Sequence, residues 1–405
     1  MQGSDLPPRK GATFLKTCFN GLNALSGIGI LSVPFALSEG GWLSFLLLFL
    51  VATVCYYTAL LLRRCMDSNI LVKTYPDVGE LAFGRKGRIM IATFMYLELY
   101  LAAIEFLIME GDNLEKLFPN TEFKMLGVAV GGKQAFVILT AVIILPTTWL
   151  RSLGVLAYVS FGGVVASLIL LGCVMWVATI GGVGFHERGT LFKWTGVPTT
   201  VSLYVFCYSG HSVFPTIYTS MKDRGMFSRV LLSCFLLCTF SYASMAIFGY
   251  LMYGSGIKSQ ITLNLPTQII SSKLAIYTTL VNPLTKYALL VTPIASAIEE
   301  CFVASKFRSI SILIRTLLVV STVVAALTIP FFAYLMALTG AFLSTSASIL
   351  LPCMCYLKIF KDERRWSVES TTIVAIIVMG FTIAVVGTYS SIKQIVSNLT
   401  CTKVC

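Results

Sequence analysis

Apolar residues run through the chain in long blocks, and short polar clusters cut those blocks into eleven stretches of about the 20 residues that a helix needs to cross a bilayer core. The predicted stretches are 14–37, 42–65, 86–111, 134–150, 153–182, 198–220, 226–253, 273–298, 308–328, 330–356 and 367–391. The cuts include Glu39-Gly40-Gly41, Arg63-Arg64 through Arg88, Asp112 to Lys133, His186 to Lys193, Lys222-Asp223-Arg224 and Lys358 to Arg365. Only Arg151 separates the fourth stretch from the fifth. What lies between them is too short for a soluble catalytic or nucleotide-binding domain. The function is therefore expected inside the membrane part.

Composition agrees: of 405 residues, 57% are apolar and 12% charged, where a soluble protein carries about 25% charged residues. The net charge of +12 becomes an orientation signal once the basic residues are placed. With the N-terminus cytosolic, inner segments hold 19 Lys and Arg and outer segments nine, which is the positive-inside bias. Lys286 and Arg315 remain within stretches, and Arg315 is expected to snorkel to the cytosolic interface. No basic patch is left for nucleic acid. Met1 to Lys10 has no cleavable-signal pattern, so the first stretch is expected to be retained. Nearly all twelve cysteines fall in apolar stretches, where they read as small packing residues. Trp42, Trp149, Trp194 and Trp366 sit near predicted interfaces. The sequon Asn398-Leu399-Thr400 lies on the outer side, and its nearness to the membrane argues against its use.

A spanning helix keeps its backbone groups paired, so Gly/Ser clusters at mid-span need a reason. The first stretch has Asn23-Ala24-Leu25-Ser26-Gly27-Ile28-Gly29 followed by Pro34, and the sixth has Cys207-Tyr208-Ser209-Gly210-His211-Ser212 followed by Pro215. Five crossings separate them, and an odd offset makes corresponding helices antiparallel, which is an inverted repeat. Such paired interruptions point to the midplane site of a secondary transporter. Freed amides favour an anion and freed carbonyls a cation, which suits a zwitterion. The competing reading is close helix packing through small residues, the role expected for Gly162, Gly163 and Ala166.

The run Phe19 to Ala36, FNGLNALSGIGILSVPFA, resembles the first-helix signature of the amino acid/auxin permease family. Glu105 to Leu114, Trp149-Leu150-Arg151, Tyr208 to Pro215 and Asn282 to Ala288 extend the resemblance over most of the chain. The subgroup most like it is that of plant and fungal vacuolar amino-acid transporters, similar to animal vesicular inhibitory amino-acid transporters. The resemblance implies an all-α membrane protein of about eleven helices in the leucine-transporter fold, a 5+5 inverted repeat plus one C-terminal helix. It also implies proton-coupled amino-acid movement on an acidic compartment. The domain expectation is a cytosolic tail at 1–13, repeats at 14–182 and 198–356, an eleventh helix at 367–391 and a lumenal tail at 392–405.

Ionisable side chains inside a span are functional candidates by default. Glu98 and Glu105 lie seven residues apart on one helical face, with Asp112 continuing the row. Glu105 is the first candidate proton carrier and Glu98 the second. A structural ion pair between one of them and Lys286 is the alternative. Lys286 lies one turn after Asn282-Pro283. In sodium-coupled relatives of this fold the first and eighth helices hold a cation, so its ammonium is a candidate replacement, and Thr285 and Asn282 are the neutral ligands that sodium would use. His211 titrates in the right range to gate or sense a lumenal proton, or serves as a neutral hydrogen-bonding group.

The expected mechanism is alternating access. Amides of Ser26, Gly27, Ile28 and Gly29 hold the substrate carboxylate, carbonyls of Asn23, Cys207 and Tyr208 hold its ammonium, and Ser209 and Gly210 line the cavity. Leu101, Ala102 and Asn282 are candidates for the side-chain pocket. No metal and no cofactor are expected, a proton gradient being the energy source; the partners are the amino acid, protons and the bilayer, and the monomer is the functional unit. Gly127 to Gln134 has phosphate-loop spacing but ends in Gln where Ser or Thr is required, and neither a serine elbow nor a zinc-protease motif is present. An enzyme is not expected. Two alternatives stay open: a sodium-coupled or plasma-membrane permease, and a non-transporting amino-acid sensor of the same fold.

Overall fold

The computed structural model describes residues 11–121, 123–125, 128–149, 156–301, 308–329, 331–361 and 368–404. The first apolar stretch is two helices, α1 (Phe14–Leu25) and α2 (Gly29–Gly40), bent by 50° at the Gly/Ser cluster. Then come α3 (Phe45–Asp67), α4 (Tyr75–Leu117), α5 (Gly132–Thr148) and α6 (Leu156–Thr179). The sixth stretch is also two pieces, α7 (Val197–Cys207) and α8 (Phe214–Ser220). It is followed by α9 (Phe227–Tyr253), α10 (Ile270–Cys301), α11 (Arg308–Thr328), α12 (Phe332–Leu338), α13 (Leu351–Ile359) and α14 (Val368–Val404).

Among the described residues eight helices are long and apolar enough to cross a membrane, nine if the bent α1–α2 pair counts as one span. The expected eleven is not reached by that measure because α5 is a shorter apolar helix and the sixth stretch is divided by its break. The chain is a multi-pass, helical membrane protein.

Three elements differ from the expected boundaries. Helix α4 begins at Tyr75 rather than near 86: Thr74 and Asp77 form a reciprocal cap with Pro76 in the first turn, and the axis is interrupted at Gly84, whose φ of 66° suits glycine. The connection from Asp112 to Lys133 contains a two-stranded antiparallel ribbon, β1 (Phe123–Met125) paired with β2 (Val128–Val130), Phe123 opposite Val130. Helix α14 continues through residues read as a tail, as far as Val404.

The expectation for Arg315 is corrected. Its side chain is 3% exposed, Nε donating to Glu299 Oε1 at 2.9 Å and Nη1 to the Thr148 carbonyl at 2.7 Å, with Ser311 donating to the same carboxylate oxygen. A partner on α10 and a carbonyl at the end of α5 satisfy the guanidinium, so it stays buried.

The segment Phe332–Ile359 is the most deeply buried span, 83% of its apolar window being enclosed against 28% for α11 and α14 at the edge. Between α12 and α13 it is π-wound over Thr339–Ser344 and Ser346–Leu350. The Thr345 hydroxyl donates to the Gly340 carbonyl five residues back, at 2.8 Å. Gly340 itself lies so near the Ser202 carbonyl of α7 that a Cβ would overlap it. Wide π winding in a helix often marks a functional segment, and this one faces both α4 and the end of α7.

Candidate functional site

The first break sits where α1 loses its helical geometry at Ser26 and α2 begins at Gly29. Freed carbonyls there face Lys286 of α10, whose Nζ lies 3.4 Å from both the Asn23 and Ser26 carbonyls. The lysine is 8% exposed, so its charge is met by backbone dipoles instead of water. Gly163 of α6 leaves room for the Asn23 side chain beside the lysine, since a Cβ there would overlap Asn23 Oδ1 and reach contact distance of Lys286 Cε. Ser26 is tied to α6 by a 2.7 Å hydroxyl bond to Ser167. Among the described residues neither Glu98 nor Glu105 forms an ion pair with Lys286.

The second break carries the opposite charge. Glu98 of α4 accepts from Ser209 and Ser344 at Oε1, both at 2.6 Å, and from Ser212 at Oε2, at 3.0 Å. Two of these donors belong to the α7–α8 interruption and one to the π-wound segment, and Ser348 of that segment lies 3.1 Å from Ser209. Glu98 is half-buried. Two turns along α4, Glu105 is fully buried, with Oε1 receiving the Thr339 hydroxyl at 2.8 Å and Oε2 without a hydrogen-bond partner among the described residues. The row on α4 therefore runs along the π-wound segment.

The breaks touch each other. A Cβ on Gly29 would come within 2.7 Å of Cys207 Sγ, and one on Gly210 within 3.1 Å of Leu25 Cδ2. Gly27 instead borders open space, a cavity of about 10 Å³ whose walls include Met109, Ser167, Thr279 and Asn282. That is room for about one water.

The two ends of the bundle differ. At the end of α1's first residues, Ala12 bridges Met221: its amide donates to the Ser220 carbonyl at 2.8 Å, and its carbonyl accepts from the Lys222 amide at 3.0 Å. Tyr218 donates to Asp67, which pairs with Arg63 at 3.3 Å. At the opposite end a cavity of about 350 Å³ opens beside Phe35, Phe332, Tyr334 and Lys258. Asp112 lies in its wall, paired with Lys133 and receiving the Gln260 amide at 3.0 Å.

The model of the family described as transmembrane amino acid transporter protein matches residues 10–393. The chain belongs to that family. It is 52% identical to the amino acid transporter AVT1I of Arabidopsis thaliana, over 96% of each chain, and 25% identical to the vesicular GABA transporter of Caenorhabditis elegans over 94% of this chain and 79% of that one. Its fold is similar to that of MhsT, solved in complex with L-phenylalanine, with a TM-score of 0.58 at 13% identity over 93% of this chain and 100% of that one. This places it among proteins of the leucine-transporter fold. Its relatives are named transporters, not enzymes, so it is read as an amino acid transporter with a small-molecule substrate.

In this transporter the expected residues fall into four groups. Asn23, Ser26, Gly27, Ile28, Gly29, Cys207 and Gly210 meet at the touching breaks, and Asn282 reaches the Gly27 cavity. Ser209 faces Glu98 rather than the first break, and the Tyr208 ring turns into α9, its hydroxyl donating to Thr239 at 2.9 Å. Leu101 and Ala102 are half-buried on α4 between the two glutamates. His211 is fully buried against α3, with Nε2 3.0 Å from Thr58 Oγ1 and Nδ1 without a hydrogen-bond partner among the described residues.

Sequence reasoning missed Ser167, Thr339, Ser344, Ser348 and Tyr242, whose buried hydroxyl donates to the Leu25 carbonyl at the end of α1. The run from Thr339 to Ser348 carried a readable signal, five hydroxyl residues and a glycine inside an apolar stretch. Tyr242 is one of 17 tyrosines and carried none.

Proposed function

We propose that the chain moves neutral amino acids across a vacuolar-type membrane by proton-coupled alternating access. The observation that carries this reading is the pair of touching helix breaks, one facing a buried lysine and the other a half-buried glutamate. In this reading the substrate carboxylate is held by the amides of Ile28 and Gly29, those of Ser26 and Gly27 being bonded to the Leu22 and Leu25 carbonyls, and its ammonium by carbonyls at Cys207 and Tyr208, the Asn23 carbonyl being met by Lys286. With room for about one water beside Gly27, an amino acid enters only when the breaks part, which is what alternating access supplies.

Lys286 supports protons over sodium. Its ammonium already meets the carbonyls that a metal cation at the first break would use, so no second charge is needed there. Glu98, reachable by water, exchanges the proton, and Glu105, sealed two turns away, is the other carrier. The helices form two five-span repeats, α1–α6 and α7–α13, with α14 appended. The chain works as a monomer with its N-terminus cytosolic and its C-terminus lumenal.

The test is counterflow and gradient-driven uptake of the common amino acids in proteoliposomes at two lumenal pH values. Uptake that follows the imposed pH gradient and becomes independent of it in Glu105→Gln is expected. Uptake driven by sodium alone would remove the proton reading, and binding without flux would make the chain a sensor.

A further inference from the structure

Away from the breaks, a cavity of about 580 Å³ lies between α4, the π-wound segment and α14. Its wall is apolar and largely aromatic: Phe94 and Phe342 meet at 5.6 Å between ring centres, and Phe381 and Tyr389 of α14 complete it. Those two α14 side chains are more than half exposed, so the cavity opens sideways onto the surface that a bilayer covers. Its occupant therefore comes from the bilayer. One polar group in the wall lacks what it needs. Thr372, Thr382 and Thr400 of α14 each donate to the carbonyl four residues back, whereas the enclosed Thr388 hydroxyl has no hydrogen-bond partner among the described residues. Ser346, in the same wall, is satisfied by the Phe342 carbonyl at 2.6 Å. An enclosed hydroxyl without a partner is costly, so Thr388 calls for a polar group from outside the chain.

An acyl chain fills apolar space but has nothing to give that hydroxyl. A sterol brings a rigid apolar ring body, which loses little conformational freedom on binding, and one hydroxyl that both donates and accepts. Val385, Tyr389 and Lys393 follow one another at four-residue spacing along one face of α14. That order of Val, Tyr and Lys is a pattern associated with sterol contact, and by itself it recurs by chance. Here Val385 and Tyr389 line the cavity, and Lys393 is exposed beside Ile392, the last residue of its wall. We propose that this groove binds a membrane sterol, its rings against Phe342 and Phe381 and its hydroxyl paired with Thr388. The site bears on the rest of the molecule through the π-wound segment. Phe342, Ser346 and Leu350 line the groove at four-residue spacing, while between them Ser344 reaches Glu98 and Ser348 reaches Ser209. The sterol braces the segment from the face opposite the glutamate. Binding stands apart from the proposed transport cycle, and only an effect on uptake rests on it.

The full chain, reconstituted in phosphatidylcholine vesicles, is irradiated with a diazirine-bearing cholesterol, and labelled peptides are mapped by mass spectrometry. Label that excess unlabelled cholesterol removes should fall on α14 and on the segment from Phe342 to Met354. Epicholesterol, whose hydroxyl projects from the opposite ring face, should compete more weakly. Ala384 lines the groove, so Ala384→Phe fills it and should abolish the competed label. Val320→Phe, at an exposed position of α11 outside the groove, should keep it. Thr388→Val keeps the shape and removes the hydroxyl. It should raise the cholesterol needed for half-competition by about two- to tenfold, the worth of one hydrogen bond, and level the difference between the two epimers. Competed label in Ala384→Phe equal to that of the wild type, or an epimer difference that survives in Thr388→Val, would overturn the inference. So would label that cholesterol does not compete and that spreads over α11 as well, since the groove would then hold bulk lipid only. Should Ala384→Phe not fold, Ala384→Leu narrows the same space, and Thr388→Val tests the hydroxyl independently. A wild type that binds sterol but carries no amino acid would overturn the proposed function and leave this site standing.

Discussion

At the first break the Asn23 and Ser26 carbonyls face the Lys286 ammonium, whereas at the second the Ser209 and Ser212 hydroxyls face the Glu98 carboxylate. Both interruptions come from Gly/Ser clusters in apolar stretches, and they touch at Gly29 and Cys207. What differs is the polarity of the groups they offer and how deeply the charge is enclosed. Lys286 is sealed at 8% exposure, while Glu98 is half-buried between the breakpoint and the π-wound segment. A fixed counter-charge suits the first position. The second position is where the proposed proton exchange is assigned, at Glu98.

The largest effect should come from Lys286→Met, which keeps the stem's volume and removes the charge. It would leave two buried carbonyls without that donor, at about 1–3 kcal/mol each. Both uptake and the thermal midpoint of the purified protein should fall. Normal uptake by this variant would mean that the first break needs no cation, and the contrast between the two breaks would collapse.

Next comes the contact where the breaks meet. Gly29→Ala drives a methyl against Cys207 Sγ, whereas the same change at Gly27 meets nothing within 4 Å. Overpacking of this kind costs about 1–3 kcal/mol, so Gly29→Ala should lose stability and transport and Gly27→Ala should lose far less stability. Cys207→Ala in the Gly29→Ala background should restore part of the loss. Equal unfolding midpoints for the two single variants would show that the touching geometry does not matter.

The smallest effect should follow Ser344→Ala, which removes one of three hydroxyl donors to Glu98. A bond to a charged group is worth about 1.5–3 kcal/mol, but Ser209 and Ser212 remain. A change in the pH dependence of uptake is expected, with maximal uptake reduced only a few-fold. A pH profile identical to wild type would separate the π-wound segment from the proton.

Much of this was legible in the sequence, because a bilayer makes exceptions conspicuous. Gly27 and Gly210 stand out in apolar stretches, and Glu98, Glu105 and Lys286 are among the few charges within them. The partners were harder to read. Arg315 was expected to reach for the interface because its helix gives no hint that Glu299 sits beside it. Tyr242 meets Leu25 across 217 residues of sequence, with no local pattern to announce the pairing. Within the π-wound segment Gly340 fits against Ser202, a tertiary fact that the hydroxyl-rich run alone does not encode. Ser209 shows the same limit: its place in the break was readable, and its direction toward Glu98 was not.

The most direct test compares proteoliposomes of the wild type and of Glu98→Gln, following amino-acid accumulation with and without an imposed pH gradient. The wild type is expected to concentrate its substrate only while the gradient stands, and Glu98→Gln to exchange amino acids in counterflow without concentrating them. Undiminished gradient-driven accumulation by Glu98→Gln, or accumulation by the wild type with no pH gradient, would contradict the assignment of the proton to the second break.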